Sequence, residues 1–253
     1  MRRSILLATC CLAAQATAAW ASPPGYHAPR RRYTARNLAY VRPPLRLHLS
    51  GNLAYYNGDL TNRLQDNTLR LGFGAGLTQV LSPRLTFSSE LSTFYLKAKD
   101  QNTSRGYSFE SSNGLLQATL RYHLFEDKSM YVGLQKKNMP AQLFLEAGAG
   151  LLLTSPTAYQ ADGIGGEQQL RPDTFAGYPL LAAAFPVGIG GTLKATNHLY
   201  FTLDALYYFT TTDLLDDVSR RGNPNKLDNF ATLTLKIEYA LGGNRRKPLA
   251  RYD

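Results

Sequence analysis

The chain has 253 residues, 44% of them hydrophobic, with a formal net charge of +10; that is room for one all-β domain with tails. Eleven basic residues and one acid lie before residue 45 or after residue 244, so residues 45–244 carry 17 basic and 17 acidic side chains. The basic excess belongs to two tails around a neutral body, which removes the nucleic-acid reading that a pI near 9.6 would invite.

Residues 1–21 open with Arg2 and Arg3, run apolar over 5–14, and end in Ala16-Thr17-Ala18 and Ala19-Trp20-Ala21. That is the make-up of a secretory signal peptide. The run is too short for a membrane anchor, and Gln15 interrupts it. Leu7-Ala8-Thr9-Cys10 offers a lipoprotein alternative with a very short apolar run ahead of it. Both cysteines, Cys10 and Cys11, fall inside this segment, so neither disulfides nor thiol chemistry support the mature chain. Residues 22–44 are rich in Pro, Arg and Tyr with no apolar period. They read as a disordered or extended tail, either a solvated linker or a basic peptide that docks on an acidic partner.

From Leu45 the sequence alternates with a period of two, the signature of strands with one apolar face. A first strand runs to Tyr56, and 57–67 is a polar loop. A second covers 69–78, a tight turn follows at Ser82-Pro83, and a third covers 85–96, with Phe94 and Leu96 falling on its polar face. Residues 98–107 are loop, 116–124 a fourth strand, and 126–139 a polar connection. A fifth strand spans 142–153, a long loop 155–180, and a sixth strand 185–194, whose start Pro186 blurs. After a turn at 195–197 come two long limbs, 199–210 and 231–241, joined by a polar loop. The total is eight strands over 45–241, then a basic tail over 242–253. Short turns on one side and long loops on the other match an outer-membrane barrel, with 126–139 too long for a periplasmic turn.

Two eight-stranded barrels compete. A lipocalin-like barrel is apolar inside and holds a ligand; a membrane barrel is apolar outside and polar inside. The apolar phase is filled by Leu, Phe, Val, Ile and Tyr, while the other phase collects glycines with Arg46, Arg70, Glu90, Arg121, Glu146, Lys194, Asp204, Lys236 and Glu238. A narrow barrel has room for side chains and little else, so these nine charges are expected to pair across its lumen. Tyr55, Tyr95, Tyr207 and Tyr239 lie towards strand ends in the apolar phase, where an aromatic girdle meets lipid headgroups. The expectation is an all-β, eight-stranded antiparallel transmembrane barrel with a polar, charge-paired interior, located in the cell outer membrane and surrounded by its lipids.

No catalytic constellation stands out. His27, His48, His123 and His198 are scattered, and His48 and His123, in lumen phase, read as interior filling. The glycine runs 72–76 and 188–191 sit inside strands without a following GK[ST]. Asp213, Asp216 and Asp217 are the one acidic concentration in a loop; they lack calcium-site spacing and precede Arg220 and Arg221, which points to a solvated or arginine-paired turn. The expectation is no enzyme, no metal and no cofactor.

Two stretches carry a resemblance. Tyr56-Asn57-Gly58-Asp59-Leu60 resembles a Y-x-G-D-[LI] signature. Phe185-Pro186-Val187-Gly188-Ile189-Gly190, with Thr212-Asp213-Leu214-Leu215-Asp216-Asp217-Val218-Ser219, resembles P-x-G-x-G … T-D-Y-L-D-D-V-S, with Leu214 in the tyrosine place. Both are similar to the PorG-type outer-membrane barrel family of Bacteroidota, over about 45–241. The resemblance implies a non-enzymatic barrel that contacts periplasmic ring proteins of the type IX secretion machinery. The competing expectation is a general surface barrel, of the OmpA/OmpX kind, with ligand-binding or envelope-stabilising loops; a narrow channel and a lipid-modifying enzyme are further alternatives.

Overall fold

The computed structural model describes residues 31–34, 37–58, 60–61, 63–101, 106–132, 140–161, 166–171, 179–217 and 227–241. The segment 1–21 expected to be a signal peptide, the tail after 241 and Asp59, Val218 and Ser219 of the signature stretches lie outside them. The strands are β1 (Arg32–Tyr33), β2 (Ala39–Tyr40), β3 (Arg46–Asn57), β4 (Leu71–Ser82), β5 (Leu85–Lys99), β6 (Tyr107–His123), β7 (Ala141–Ala161), β8 (Glu167–Gln169), β9 (Leu180–Lys194), β10 (Leu199–Thr210) and β11 (Asn229–Ala240).

Eight of these pair in the order β6-β5-β4-β3-β11-β10-β9-β7, and β6 pairs with β7 to close the ring. Every pairing is antiparallel. Closure satisfies backbone groups that a membrane cannot hydrate. The expected eight-stranded barrel is therefore the fold.

Period-two alternation sorts the side chains. Leu49 is 69% exposed and Leu181 65%, while Glu90, Arg121, Asp204 and Glu238 on the opposite phase are buried. An apolar exterior around buried charge is the inverse of a soluble barrel, and it is stable only where the outside solvent is lipid. Strands of 12 to 21 residues exceed the 9–11 or so that span a bilayer. The barrel is thus an outer-membrane one. Its chain ends meet at one rim, where Leu241 N donates to Leu45 O at 2.8 Å; that rim, with the tight turns, is periplasmic.

Three sequence expectations change. The fourth and fifth strands are longer than their alternation suggested: β6 starts at Tyr107 and β7 runs to Ala161. Above Thr154, β7 leaves β9 and takes β8 as its partner, so β5 to β8 rise past the barrel as an extracellular fin. Its inner face buries Ala98, Phe109 and Ala158 against Leu60, so polar and apolar residues mix where neither side is lipid. Pro186 lies well inside β9, opposite Tyr208; the β7–β9 ladder skips the pairs that would involve Phe185 and Pro186, which accommodates the missing N–H. Finally, the described part of the 22–44 tail is not a free linker. Val41 N donates to Met130 O (3.0 Å), Val132 N donates to Ala39 O (2.9 Å), and Arg42 Nε donates to Leu81 O (2.7 Å). The described part of the long 126–139 connection, a short 3-10 turn over Lys128–Met130 followed by Tyr131 and Val132, thus gives the N-terminal segment backbone partners.

Candidate functional site: a filled lumen closed at both mouths

The lower lumen holds the charges. Arg121 projects from β6 and its three nitrogens reach Glu146 Oε2 (3.2 Å), Asp204 Oδ2 (3.2 Å) and Glu238 Oε1 (3.1 Å). Lys236 Nζ bridges Glu90 Oε2 (2.6 Å) and Asp204 Oδ2 (2.8 Å). Arg46 Nη1 takes the second oxygen of Glu238 at 3.2 Å and lies over the Tyr200 ring. Hydroxyls fill the remaining acceptor sites: Ser50 donates to Glu90 (2.7 Å), Thr119 to Glu146 (2.5 Å) and Thr202 to Glu238 (2.8 Å). Buried carboxylates are tolerable only when paired and hydrogen-bonded in this way. Seven of the nine predicted charges meet here.

Arg70 and Lys194 do not. Arg70 precedes β4 at the upper rim and pairs outside the barrel with Glu110 at 3.3 Å. Lys194 ends β9 at the lower rim, half-buried, with no ion pair among the described residues. Both sit at strand ends, where alternation no longer decides inside from outside.

His48 and His123 fill the lumen as expected. His48 Nδ1 is 3.1 Å from Thr78 Oγ1 and Nε2 is 3.5 Å from Glu90 Oε2; His123 Nε2 is 2.9 Å from Thr86 Oγ1. Thr78, His48 and Glu90 share the residue types of a nucleophile–base–acid set. The cavity that Thr78 lines below them, with Arg46, Thr86 and His123, is about 20 Å³, room for about one water. Gly74 and Gly76 are needed here: a Cβ on Gly76 would stand 2.7 Å from His48 Nε2, and one on Gly74 2.5 Å from Ser50 Oγ and 2.8 Å from Glu90 Oε1. Gly74 and Gly76 thus make room for a histidine and a glutamate.

The upper lumen is not polar. Phe94, Leu96, Phe109, Leu115, Leu152, Tyr208 and Phe230 point inward and are buried. Tyr208 stacks on Phe230 at 4.4 Å and Phe230 on Phe94 at 4.8 Å, while Tyr208 Oη donates to Gln117. Phe94 and Leu96, which break the alternation of the third strand, belong to this aromatic plug. The expected all-polar interior holds for the lower half only, because the upper half packs a loop rather than water.

That loop is the signature stretch 212–217. Leu215, Asp216 and Asp217 are at most 1% exposed, so the acidic turn is folded into the mouth and not solvated. Tyr56 Oη lies 2.7 Å from both Asp216 Oδ2 and Asp228 Oδ1, and Leu215 N donates to Asp228 Oδ2 at 3.1 Å. Each of the two short oxygen contacts needs a hydrogen, and the phenol supplies one. Burial first and the Asp216 charge second push the Asp228 carboxyl well above its usual range, which favours its neutral form. A Cβ on Gly58 would stand 2.1 Å from both Asp228 Oδ1 and Tyr56 Oη. The two signature stretches, some 150 residues apart, therefore meet at one latch: Tyr56 and Gly58 against Asp216 and Asp228. Thr212 and Asp213 lead into it, with Leu214 N held by Thr212 Oγ1 at 3.2 Å. Asp228 was missed in the sequence because it lies beyond the motif, beside the start of β11.

At the periplasmic mouth, Tyr40, Val80, Met130 and Tyr131 form a second apolar cluster, closing the ring beneath Arg46 and His123. Among the described residues no group of His, Cys, Asp or Glu has metal-site geometry.

No family model and no curated protein matches the chain. Among solved structures it is similar to the Neisserial surface protein NspA (13% identity, 78% of this chain and 97% of that chain, TM-score 0.38). It is also similar to a major outer membrane protein from Thermus thermophilus (11%, 78% and 99%, TM-score 0.41). A third is the outer membrane enzyme PagL (14%, 77% and 99%, TM-score 0.38).

Proposed function

We propose that this barrel is a non-enzymatic anchor of the outer membrane that docks an envelope assembly through its periplasmic side. The supporting observation is the periplasmic rim: residues 37–44 are strapped to 130–132 and to Leu81, and both basic tails leave from there. A lumen filled with paired charge below and aromatic rings above gives no path for substrate or ions. An arginine-rich pair of tails fits an acidic periplasmic surface. The resemblance of the latch residues to the PorG-type family gives the finer form of the proposal, in which the partner is a periplasmic ring of type IX secretion.

The test removes 22–36 and 245–253 while keeping the strap. Co-purification with periplasmic partners should fall while the barrel still folds; unchanged recovery of those partners overturns tail docking. Loss of cargo secretion in the same strain supports the type IX form, and full secretion restricts the proposal to an envelope anchor. A surface-barrel role is the second reading, favoured by the fin that β5 to β8 raise above the membrane.

A further inference from the structure

The lipid face of β5 ends abruptly in charge. Its outward positions from Leu85 to Tyr95 are ten residues apart; at about 3.3 Å per residue and about 40° of tilt this covers about 25 Å, the height of an outer-membrane apolar band. Lys97 and Lys99 are the next two outward positions. They stand one and two steps above the band, at headgroup height. Arg70 joins them from the adjoining start of β4: Arg70 and Lys97 both contact Glu110 on β6.

Charge at this rim is lopsided. Arg70 and Lys97 share the one carboxylate of Glu110, and exposed Lys99 has no ion-pair partner among the described residues, so three cations stand against one acid. Asp100 is turned inward and buried, and Glu167 lies higher, on β8 opposite Ala161. The upper ends of β3 and β11 carry Asn57 and Asn229, and uncharged Thr211 follows β10. Beneath the cations the wall is shallow: Tyr95 pairs with Ser112, and Thr93 with Gly114. A Cβ on Gly114 would meet nothing nearer than 3.9 Å.

We propose that Lys97, Lys99 and Arg70 form a binding site for the phosphate of an outer-leaflet lipid, whose acyl portion lies along the Tyr95–Ser112–Gly114 wall. The occupant is lipid rather than a soluble anion because the cations sit directly on the apolar band, so a membrane-anchored phosphate reaches them without losing its own burial. Lysines near an anionic membrane surface each contribute about a fivefold gain in binding. The site is independent of the docking role proposed for the periplasmic end.

The test titrates the folded, detergent-solubilised barrel with bisphosphorylated lipid A and counts bound copies by native mass spectrometry. Dephosphorylated lipid A and soluble inositol hexakisphosphate are the comparison probes. Heat-modifiable electrophoretic mobility checks that each variant is folded. The double variant Lys97→Gln, Lys99→Gln should bind lipid A roughly 25-fold more weakly, down to the level of the dephosphorylated lipid. Arg84→Gln, at the opposite rim, should leave binding unchanged. Equal lipid A affinity in wild type and the double variant overturns the site. Lysine-dependent binding of the soluble polyphosphate without lipid A binding overturns the lipid as its occupant.

Discussion

Replacing Arg121 by methionine removes the centre of the lumen charge network while keeping most of its volume. In the native barrel Arg121 faces Glu146, Asp204 and Glu238 at 3.1–3.2 Å, and all four side chains are at most 1% exposed. Without it, four buried carboxylates (Glu90, Glu146, Asp204 and Glu238) face two cations, Lys236 and Arg46. Breaking a buried pair from one side costs about 3–5 kcal/mol, a factor of between about 10² and about 4 × 10³ in the folding equilibrium. The assay is urea unfolding in phospholipid vesicles, followed by circular dichroism and electrophoretic mobility, since the only tryptophan, Trp20, lies outside residues 45–241. Two companions sharpen it. Arg70→Met, at the exposed Glu110 pair, should cost less than about 1 kcal/mol. Adding Glu146→Gln to Arg121→Met should restore part of the loss, because the surplus negative charge falls while Thr119 still finds an acceptor. A stability for Arg121→Met within about 1 kcal/mol of wild type would refute the view that paired charge holds the lumen together.

The mouth latch should depend on pH. The Asp228 carboxyl is raised above its unfolded value, so its contribution is fully present below the ordinary carboxylate range and is lost as pH rises through the elevated one. Amide exchange at Leu215, corrected for intrinsic rate, should therefore accelerate with rising pH in wild type. Asp228→Asn, which keeps a neutral donor and acceptor, should flatten that dependence; an unchanged slope would mean that Asp228 holds no proton. Gly58→Ala places a methyl 2.1 Å from two latch oxygens. It should cost about 1–3 kcal/mol in the same urea assay and raise exchange at Leu215, whereas native protection would show that the backbone yields there at little cost.

The sequence carried the barrel because alternation is a local property. Leu47, Leu49 and Leu53 against His48, Ser50 and Asn52 define two faces without reference to any partner strand, and the charge on the second face says that it cannot be the one in lipid. That placed the charges Arg121, Asp204, Lys236 and Glu238 inside before their partners were known. It stopped working where a strand leaves the two-sided setting of lipid and lumen. Residues 107–115 and 154–161 pack against loops, so their pattern is mixed and their strands are longer than the alternation. Arg70 and Lys194 sit at strand ends; Arg70 pairs outside the barrel, and Lys194 stays at the lower rim apart from the charge network.

Tertiary structure decided what fills each half of the lumen and what closes it. Nothing local marks Phe94 and Leu96 as members of a plug, since the rings they meet lie on β6, β10 and β11. The Asp216–Tyr56–Asp228 contact joins positions up to 172 apart in the chain, and only there do burial and the Asp216 charge act together on the Asp228 carboxyl. The strap at 37–44 likewise needs Met130 and Val132 to give it backbone partners. Alternation depends only on a residue's neighbours in sequence, and so the sequence by itself determined an inverted eight-stranded barrel. Packing depends on which side chains the closed ring forces together, and that was settled only when β6 paired with β7.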